Sequence, residues 1–206
     1  PTQIAAEKPS VAAARRTGPV AIDGRLDDAA WSQAAVAGSF VQKEPVEGAP
    51  AEERTEVRVL YDDAAIYVAA RMFDSAPRNI ARQLVRRDDE GAADWFGVAF
   101  DPRLARRTAY AFIVSAANVQ RDEYMYNDAD ADDAWDAVWE SAVHLDSLGW
   151  SAELRIPLSQ LRYETSAGAQ TWGANFVRSR NSANEETHFA LMSQLRRGFV
   201  SQFGTL

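Results

Sequence analysis

Apolar and polar residues alternate with a period of two in several short segments, which is the periodicity of a β-strand with one buried face. The segment "TEVRVLYD" (55–62) places Val57, Val59 and Tyr61 on one face. The segment "AIYVAARMF" (65–73) follows after Asp62 and Asp63. Two aspartates are typical of a tight turn, so these segments predict a β-hairpin.

The same alternation recurs four more times. It occurs in "DWFGVAFD" (94–101), "TAYAFIVS" (108–115), "GWSAELRIP" (149–157) and "TWGANFVRSR" (171–180). Helical patterns are short by comparison: "LDDAAWSQA" with Asp27 or Asp28 as N-cap, "PLSQL" with Pro157 in the first turn, and "NIARQLV". Many strands with only helical turns between them predict an all-β fold, a two-sheet antiparallel β-sandwich of immunoglobulin-like or jelly-roll type.

The faces opposite the large apolar residues carry small side chains: Ala69, Gly97, Ala99, Ala109 and Ala111. If these strands are neighbours, their small residues form a shallow depression with Trp95 at its edge. The alternative is that another layer or domain covers this face.

Composition limits the function classes. The net charge of −8 argues against nucleic-acid binding, because the paired arginines at 15–16, 86–87, 106–107 and 196–197 are short clusters beside acids or turns. The chain has no cysteine, which excludes disulfides and thiolate chemistry and is compatible with an exported bacterial protein. No apolar run approaches the roughly 20 residues that span a bilayer. Residues 1–17 are polar and rich in Ala and Pro, and we interpret them as a linker before a domain at 18–206.

Three tryptophans, Trp95, Trp135 and Trp139, lie near acidic or amide residues. A sugar ring stacks its apolar face on an aromatic ring while its hydroxyls bind polar groups at the rim, so this combination is typical of a glycan site. The alternative for each tryptophan is a place in the core. Trp150 and Trp172 are in phase with Leu154 and Phe176, which predicts that these two are core residues.

The stretch "NDADADDAWDAVWE" (127–140) concentrates aspartates. Asp128, Asp130 and Asp132 match the first ligands of a helix–loop–helix calcium site. Counted from Asp128, however, the sixth position is Asp133 instead of Gly and the twelfth is Trp139 instead of Glu. That motif therefore fails, and two readings stay open: a looser calcium site in a sandwich loop, or an acidic connection between strands.

Catalytic signatures are scarce. The two histidines, His144 and His188, have no metal-ligand spacing, and the chain contains neither G-x-S-x-G nor a glycine-rich phosphate loop. Glu140 and Glu153 flank a turn, but Glu153 alternates outward beside Arg155, which predicts a surface ion pair. We expect no catalysis from this chain.

Several segments occur in an order that resembles a known family. They are "AIDGRLDDAAW", "TEVRVLYDDAAIYVAARMFD", "DWFGVAFDP", "GWSAELRIPLSQL" and "TWGANFVRSR", over about residues 18 to 180. Together they are similar to a carbohydrate-binding module family 9-like domain. Further segments, "RRDD", "RRTAYAF", "ND" followed by "WDAVWE", and "GFVSQFG", resemble a subgroup found at the N-terminus of large bacterial exported proteins.

The resemblance implies a β-sandwich that binds sugar without catalysis, with structural Ca²⁺ as an optional ion. The subgroup implies location in the periplasm or at the outer membrane of a Gram-negative bacterium, next to a C-terminal outer-membrane β-barrel region of the same protein. Binders in the family carry a stacking Trp where this chain has "DEGAA" (89–93), and a sugar-contacting Glu where it has Gly97. Asp94 and Asp101, at the two ends of that strand, match the family pattern.

Three functional hypotheses follow. The first is a carbohydrate-binding module in which Trp95, Trp135 or Trp139 stacks on the sugar. The residues predicted for its polar rim are Arg86, Asn118, Arg121 and Asp122. The second is a structural or interaction domain that has lost the sugar site and packs on, or gates, the barrel. The third, suggested only by the family's usual neighbours, is part of a glycoside hydrolase.

Overall fold

The computed structural model describes residues 8–164 and 168–206, and its architecture is a sandwich of two mainly antiparallel sheets. Its strands are β1 (Ala14–Arg15), β2 (Val41–Glu44), β3 (Thr55–Tyr61), β4 (Ala65–Phe73), β5 (Trp95–Asp101), β6 (Ala109–Ser115), β7 (Gln120–Tyr126), β8 (Asp130–Asp132), β9 (Glu140–Asp146), β10 (Gly149–Pro157), β11 (Gly173–Arg180), β12 (Glu185–His188) and β13 (Gly204–Thr205). The predicted all-β sandwich is confirmed.

The small sheet has the strand order β1-β3-β4-β10-β9. The large sheet has the order β2-β12-β11-β5-β6-β7-β8, and β13 pairs with β11. All six segments with period-two alternation form strands, and the hairpin predicted at Asp62 joins β3 to β4. Alternation predicts these strands well because each buries one face against the opposite sheet.

The main core lies between the sheets. From the large sheet it takes Phe96, Val98, Phe100 and Phe112, all at most 1% exposed, and from the small sheet it takes Trp150 and Leu154, both 0% exposed. Trp150 and Trp172 belong to this core, as predicted. The side of the large sheet that faces away from it, called the outer face below, carries Trp95, Gly97 and Ala99 from β5.

Helical structure is limited to 3₁₀ turns in the described residues: Ala29–Gln33, Pro77–Asn79, Leu158–Gln160, Asn181–Ala183 and Val200–Gln202. Pro157 is the N-cap of the third, one residue before the first turn in which it was predicted. The segment predicted at 79–85 was placed too late, because the turn begins at Pro77 and ends at Asn79. None of these helices has the length and apolarity needed to cross a bilayer.

The N-terminal segment is better integrated than a linker would be. Residues 1–7 lie outside the described residues, but β1 pairs in parallel with β3, through Ala14 with Leu60. Ser10 pairs with Thr205, and the amide of Thr205 donates to the carbonyl of Pro9 at 3.0 Å. Residues 9–15 of the predicted linker therefore pack into the sandwich.

Candidate functional site

Trp95 stands at the start of β5 on the outer face, where it is partly exposed. Its backbone neighbours are Ser115 of β6 and Ser179 of β11. The next outward position of β5, Gly97, lies between Ile113 and Val177. The large aromatic ring is therefore followed along the strand by a position with no side chain.

Gly97 is partly exposed on the outer face, and this position without a side chain is called the depression below. A β-carbon at this position would lie 3.3 Å from Cγ1 of Ile113, a tight contact with a movable side-chain atom. The depression is smaller than the one predicted from the sequence, because Val200 and Phe203 cover two of its predicted members, Ala99 and Ala109. Ala69 belongs to the small sheet and is covered by the cluster around Trp31. The two alternatives, an open depression and a face covered by another layer, therefore each hold for some of the small residues.

Arg121 of β7 lies on the near side of Trp95. Its guanidinium carbon is 5.7 Å from the centroid of the Trp95 ring, within cation–π range. Its terminal nitrogens donate to Glu90 at 3.0 Å and to Glu123 at 3.1 Å. Of the predicted rim residues, Arg121 is the one that the structure brings to Trp95.

A second polar group lies on the far side of the depression and was missed from the sequence. Glu186 of β12 pairs in register with Ser179, which in turn pairs with Trp95, so two strand spacings of about 4.8 Å separate the backbones of Glu186 and Trp95. Oε1 of Glu186 accepts from Nζ of Lys43 at 3.0 Å and from Nε2 of His188 at 2.6 Å. Alternation in "EETHF" places Glu186 and His188 on one face, a signal that could have identified them.

The electrostatics of this group favour a charged carboxylate. Burial acts to raise the pKa of Glu186, but hydrogen bonds and charge from His188 and Lys43 outweigh it and lower the pKa to about 2. The Nδ1 atom of His188 accepts from the amide of Met192 at 3.2 Å, so both ring nitrogens of His188 have a hydrogen-bond partner. The outer face thus carries an ionised acceptor on one side of Gly97 and a guanidinium on the other.

Trp135 and Trp139 do not converge with Trp95, and their prediction as sugar platforms is not supported by the geometry. Trp139 is 6% exposed, with its ring centroid 5.5 Å from that of Phe112. Trp135 packs 5.3 Å from Tyr110 and 5.9 Å from Phe112. Both rings lie on the inner side of the large sheet, where they pack on β6.

Asp122 is a structural carboxylate instead of a rim residue. It is 2% exposed and accepts from Nε1 of Trp139 at 3.2 Å and from the amide of Ala137 at 2.6 Å. Burial raises its pKa despite these hydrogen bonds. Its cation partner is Arg87 and not the neighbouring Arg86, which is exposed.

Asn118 also serves the fold. It occupies the β6–β7 turn with a φ of +59°, in the left-handed region that asparagine tolerates. Its side chain faces β9, where Oδ1 accepts from Oγ of Ser141 at 2.8 Å. It therefore links the two sheets at their edge and does not face Trp95.

The three aspartates predicted for calcium point in different directions. Oδ1 of Asp128 accepts from the amides of Phe199 at 3.1 Å and Ser201 at 2.7 Å, which ties down the C-terminal segment. Asp130 accepts from Asn127, and Asp132 accepts from the amide of Ala134. Among residues 8–164 and 168–206, no three His, Asp or Glu side chains are grouped as metal ligands. Calcium at this loop stays a prediction, and the arrangement fits the acidic-connection reading.

The predicted surface ion pair at Glu153 was wrong. Glu153 is 0% exposed; its Oε1 accepts from Nε1 of Trp31 at 2.8 Å, and its Oε2 accepts from the amides of Asp23 and Gly24. Arg155 pairs with Glu140 instead, at 2.7 Å. The reason is that the Trp31 helical turn covers the outer side of the small sheet, so alternation no longer implies exposure there.

The carboxyls whose pKa is raised are all enclosed by the fold. Burial raises the pKa of Asp94, Asp122 and Glu153, and their exposure is 0%, 2% and 0%. A general acid needs both a raised pKa and access to substrate. Within the described part of the chain, these carboxyls have a raised pKa but no access to substrate.

Two open clefts lie on the surface, and the first borders the Glu186 group through Lys43. One, of about 440 Å³, is lined by Lys43, Glu44, Pro45, Glu47, Asn184 and Gln194. The other, of about 730 Å³, lies between residues 75–82 and the β9–β10 turn. Neither is lined by an aromatic side chain.

Comparison with known structures gives the same fold. A family 9 carbohydrate-binding module from Caldicellulosiruptor kristjanssonii in complex with cellotriose superposes with a TM-score of 0.66 at 18% identity, covering 94% of this chain and 91% of that one. The glucose complex of a module from the same organism gives a TM-score of 0.66 at 18% identity, covering 93% and 92%. A Bacteroides uniformis protein to which carbohydrate binding has been attributed gives 0.74 at 13% identity, covering 97% and 99%. At these identities the likeness establishes the fold.

A search among proteins of curated function gave no match. The model of the family described as "Carbohydrate family 9 binding domain-like" matches residues 22–194, which is most of the chain. The match spans both sheets and includes Trp95, Arg121 and Glu186. The chain belongs to the carbohydrate family 9 binding domain-like family.

Proposed function

We propose that this domain is a non-catalytic carbohydrate-binding module of an exported bacterial protein, and that it holds a sugar ring over Gly97 on the outer face of the large sheet. The observation that carries the proposal is the combination of Trp95, partly exposed, with an adjacent position that has no side chain. A pyranose ring needs an aromatic surface for its apolar face and open space for its own thickness. This part of the outer face supplies both.

Polar groups on the two sides of Gly97 fit the hydroxyls of such a ring. Arg121 donates from one side, and Glu186 accepts from the other. Both are already oriented by ion pairs, to Glu90 and Glu123 for Arg121 and to Lys43 for Glu186. Oriented charged partners form stronger hydrogen bonds than neutral ones and lose less entropy on binding.

The burial of the raised-pKa carboxyls supports a binding role without catalysis. Acid–base hydrolysis of a glycoside needs two carboxyls about 5 to 9.5 Å apart that reach the bond to be broken. The carboxyls with a raised pKa in the described residues, Asp94, Asp122 and Glu153, are enclosed by the fold and do not reach a bond outside it. A chromogenic glycoside is therefore expected to remain intact with this domain.

Calorimetric titration with glucose and cellotriose tests the proposal. We expect saturable binding that the Trp95→Ala variant weakens at least tenfold, about 1.4 kcal/mol. The matched control is Tyr61→Ala, which removes an aromatic ring that is 38% exposed on the small sheet. Equal binding by Trp95→Ala and the parent protein, or no binding at all, would refute the proposed site.

One observation favours a second function. The guanidinium of Arg121 lies over the Trp95 ring and occupies space that a sugar would need. If Arg121 stays there, the domain is an interaction module that packs on, or gates, an outer-membrane barrel region of a longer exported protein. Fluorescence quenching measures the solvent exposure of Trp95 in the longer protein and in the isolated domain. Equal exposure in the two would contradict this second function.

A further inference from the structure

The larger of the two clefts lies at one end of the sandwich, away from the outer face. It is about 730 Å³ in volume, and its walls are the segment after β4 and the turn between β9 and β10. Its polar lining includes Arg78, Arg82, Asn79 and Ser147, and Leu145 contributes an apolar patch. A volume of this size accommodates one or two sugar units.

The walls of this cleft are held by backbone contacts. The amide of Asp74 donates to the carbonyl of Leu148 at 2.9 Å, which joins the end of β4 to the β9–β10 turn. Arg82 forms an antiparallel bridge with Ala93, which fixes the backbone of the opposite wall. Gly149 has a φ of +134°, and a β-carbon there would lie 2.1 Å from the carbonyl oxygen of Met72. The cleft is therefore preformed.

The charge of the lining is positive although the chain has a net charge of −8. Within residues 8–164 and 168–206, the guanidinium groups of Arg78 and Arg82 have no carboxylate partner. The acid of the lining, Asp146, is already bonded to Arg71 at 2.6 Å, and that hydrogen bond is the main cause of its lowered pKa. Two uncompensated arginines thus line one preformed cleft.

We propose that this cleft is a second binding site, which takes an acidic sugar and holds its carboxylate with Arg78 and Arg82. A guanidinium presents paired N–H donors whose spacing matches the two oxygens of a carboxylate. Leu145 offers an apolar surface for the sugar ring, and Asn79 and Ser147 offer partners for its hydroxyls. The carboxylate part of this inference is independent of the proposed function, and only the choice of a sugar as the carrier rests on it.

Titration with D-glucuronate, with D-glucose as the neutral probe, tests the inference. The variants are Arg78→Gln and Arg82→Gln, with Arg25→Gln as the control for loss of an exposed arginine elsewhere. We expect each cleft variant to weaken glucuronate binding about tenfold, and Arg25→Gln to leave it unchanged. The Trp95→Ala variant is expected to bind glucuronate at the cleft as the parent protein does. Raising the salt concentration should weaken glucuronate binding and spare glucose binding, because exposed charges are screened.

The outcomes separate this site from the one beside Trp95. If neither the parent protein nor any variant binds glucose, the proposed function is refuted. The glucuronate titrations still test the second site in that case. Glucuronate binding that neither arginine variant changes would overturn the second site. Tighter binding of a short acidic peptide at the same two arginines would overturn the choice of a saccharide.

Discussion

The guanidinium of Arg121 stacks over the ring of Trp95, with the guanidinium carbon 5.7 Å from the ring centroid. The two residues come from different strands, β7 and β5, and β6 separates them. In the backbone register, Arg121 pairs with Ile113 of β6, and Ile113 pairs with Gly97 of β5. The side chain of Arg121 therefore reaches Trp95 diagonally, past this row of paired residues. The pair therefore borders the open position in the sheet and decides whether a sugar can reach it.

Replacing Arg121 with Ala should lower the affinity for glucose about tenfold, about 1.4 kcal/mol, because the variant loses a charged donor at the rim. Calorimetric titration measures this. The control is Arg58→Ala, which removes a partly buried arginine of the small sheet that pairs with Glu56 at 3.6 Å. Tighter sugar binding by Arg121→Ala would instead mean that the arginine blocks the ring.

Replacing Gly97 with Leu should abolish glucose binding, because the new side chain would fill the space over position 97 that the sugar ring needs. Its β-carbon needs a small shift of Ile113, from which the contact is 3.3 Å. Gly97→Ala is the graded control, and it should weaken binding less because it adds a single methyl group. Calorimetric titration measures both variants. Glucose binding that Gly97→Leu leaves unchanged would mean that the sugar does not lie over position 97.

Replacing Asp122 with Asn should destabilise the fold without changing sugar affinity. The amide nitrogen of Asn would face at least one of the donors from Ala137, Trp139 and Arg87, which leaves a buried donor unpaired at a cost of about 2 kcal/mol. Asp136→Asn is the control, because Asp136 also pairs with Arg87 but its side chain is 77% exposed, and it should cost under about 0.5 kcal/mol. Urea denaturation gives both values. A loss of sugar binding in folded Asp122→Asn would restore Asp122 to the site.

Stability should fall in acid through Asp62. Burial acts to raise its pKa, but hydrogen bonds from the amides of Ala64 and Ala65, from Arg16 and from Tyr67 outweigh it and lower the pKa to about 2. A group whose pKa is lowered by folding stabilises the protein above its unfolded pKa of about 3.9, and this contribution is lost as the pH falls to about 2. We expect about 2 kcal/mol of the free energy of unfolding to disappear across this range.

The neighbouring aspartate gives a matched control for this pH dependence. Asp62→Asn should remove the part of the pH dependence of the free energy of unfolding that comes from Asp62. Asp63→Asn should leave this pH dependence in place, because the side chain of Asp63 is 87% exposed. Denaturation at a series of pH values between about 2 and 5 measures the difference. Identical pH profiles for the two variants would contradict the assignment.

Asp128 should stabilise the C-terminal segment without an ion. Asp128→Ala removes the acceptor for the amides of Phe199 and Ser201 and should cost about 1 to 2 kcal/mol, whereas Asp130→Ala should cost under about 0.5 kcal/mol. Thermal unfolding with and without added Ca²⁺ measures both effects. A calcium-dependent rise in Tm that both variants abolish would support the calcium loop and overturn the structural role.

The fold could be predicted from the sequence because six segments alternate with a period of two, and a strand with one buried face has no other way to place its apolar residues. The pattern also placed Trp150 and Trp172 in the core. It failed at Glu153, whose position in the alternation is outward. There the Trp31 turn adds a layer that the strand's own sequence does not reveal.

The candidate site depended on tertiary structure. From the sequence, Trp95, Trp135 and Trp139 were equivalent, since each lies near polar residues. Strand order then separated them, because β5 turns Trp95 outward while the segment before β9 folds Trp139 onto Phe112. The sequence alone therefore determined that this chain forms a two-sheet sandwich. Only the pairing of β12, β11, β5, β6 and β7 placed Glu186 and Arg121 on the same face of one sheet, on opposite sides of Gly97, because backbone hydrogen bonds between strands bring together residues that are distant in the chain.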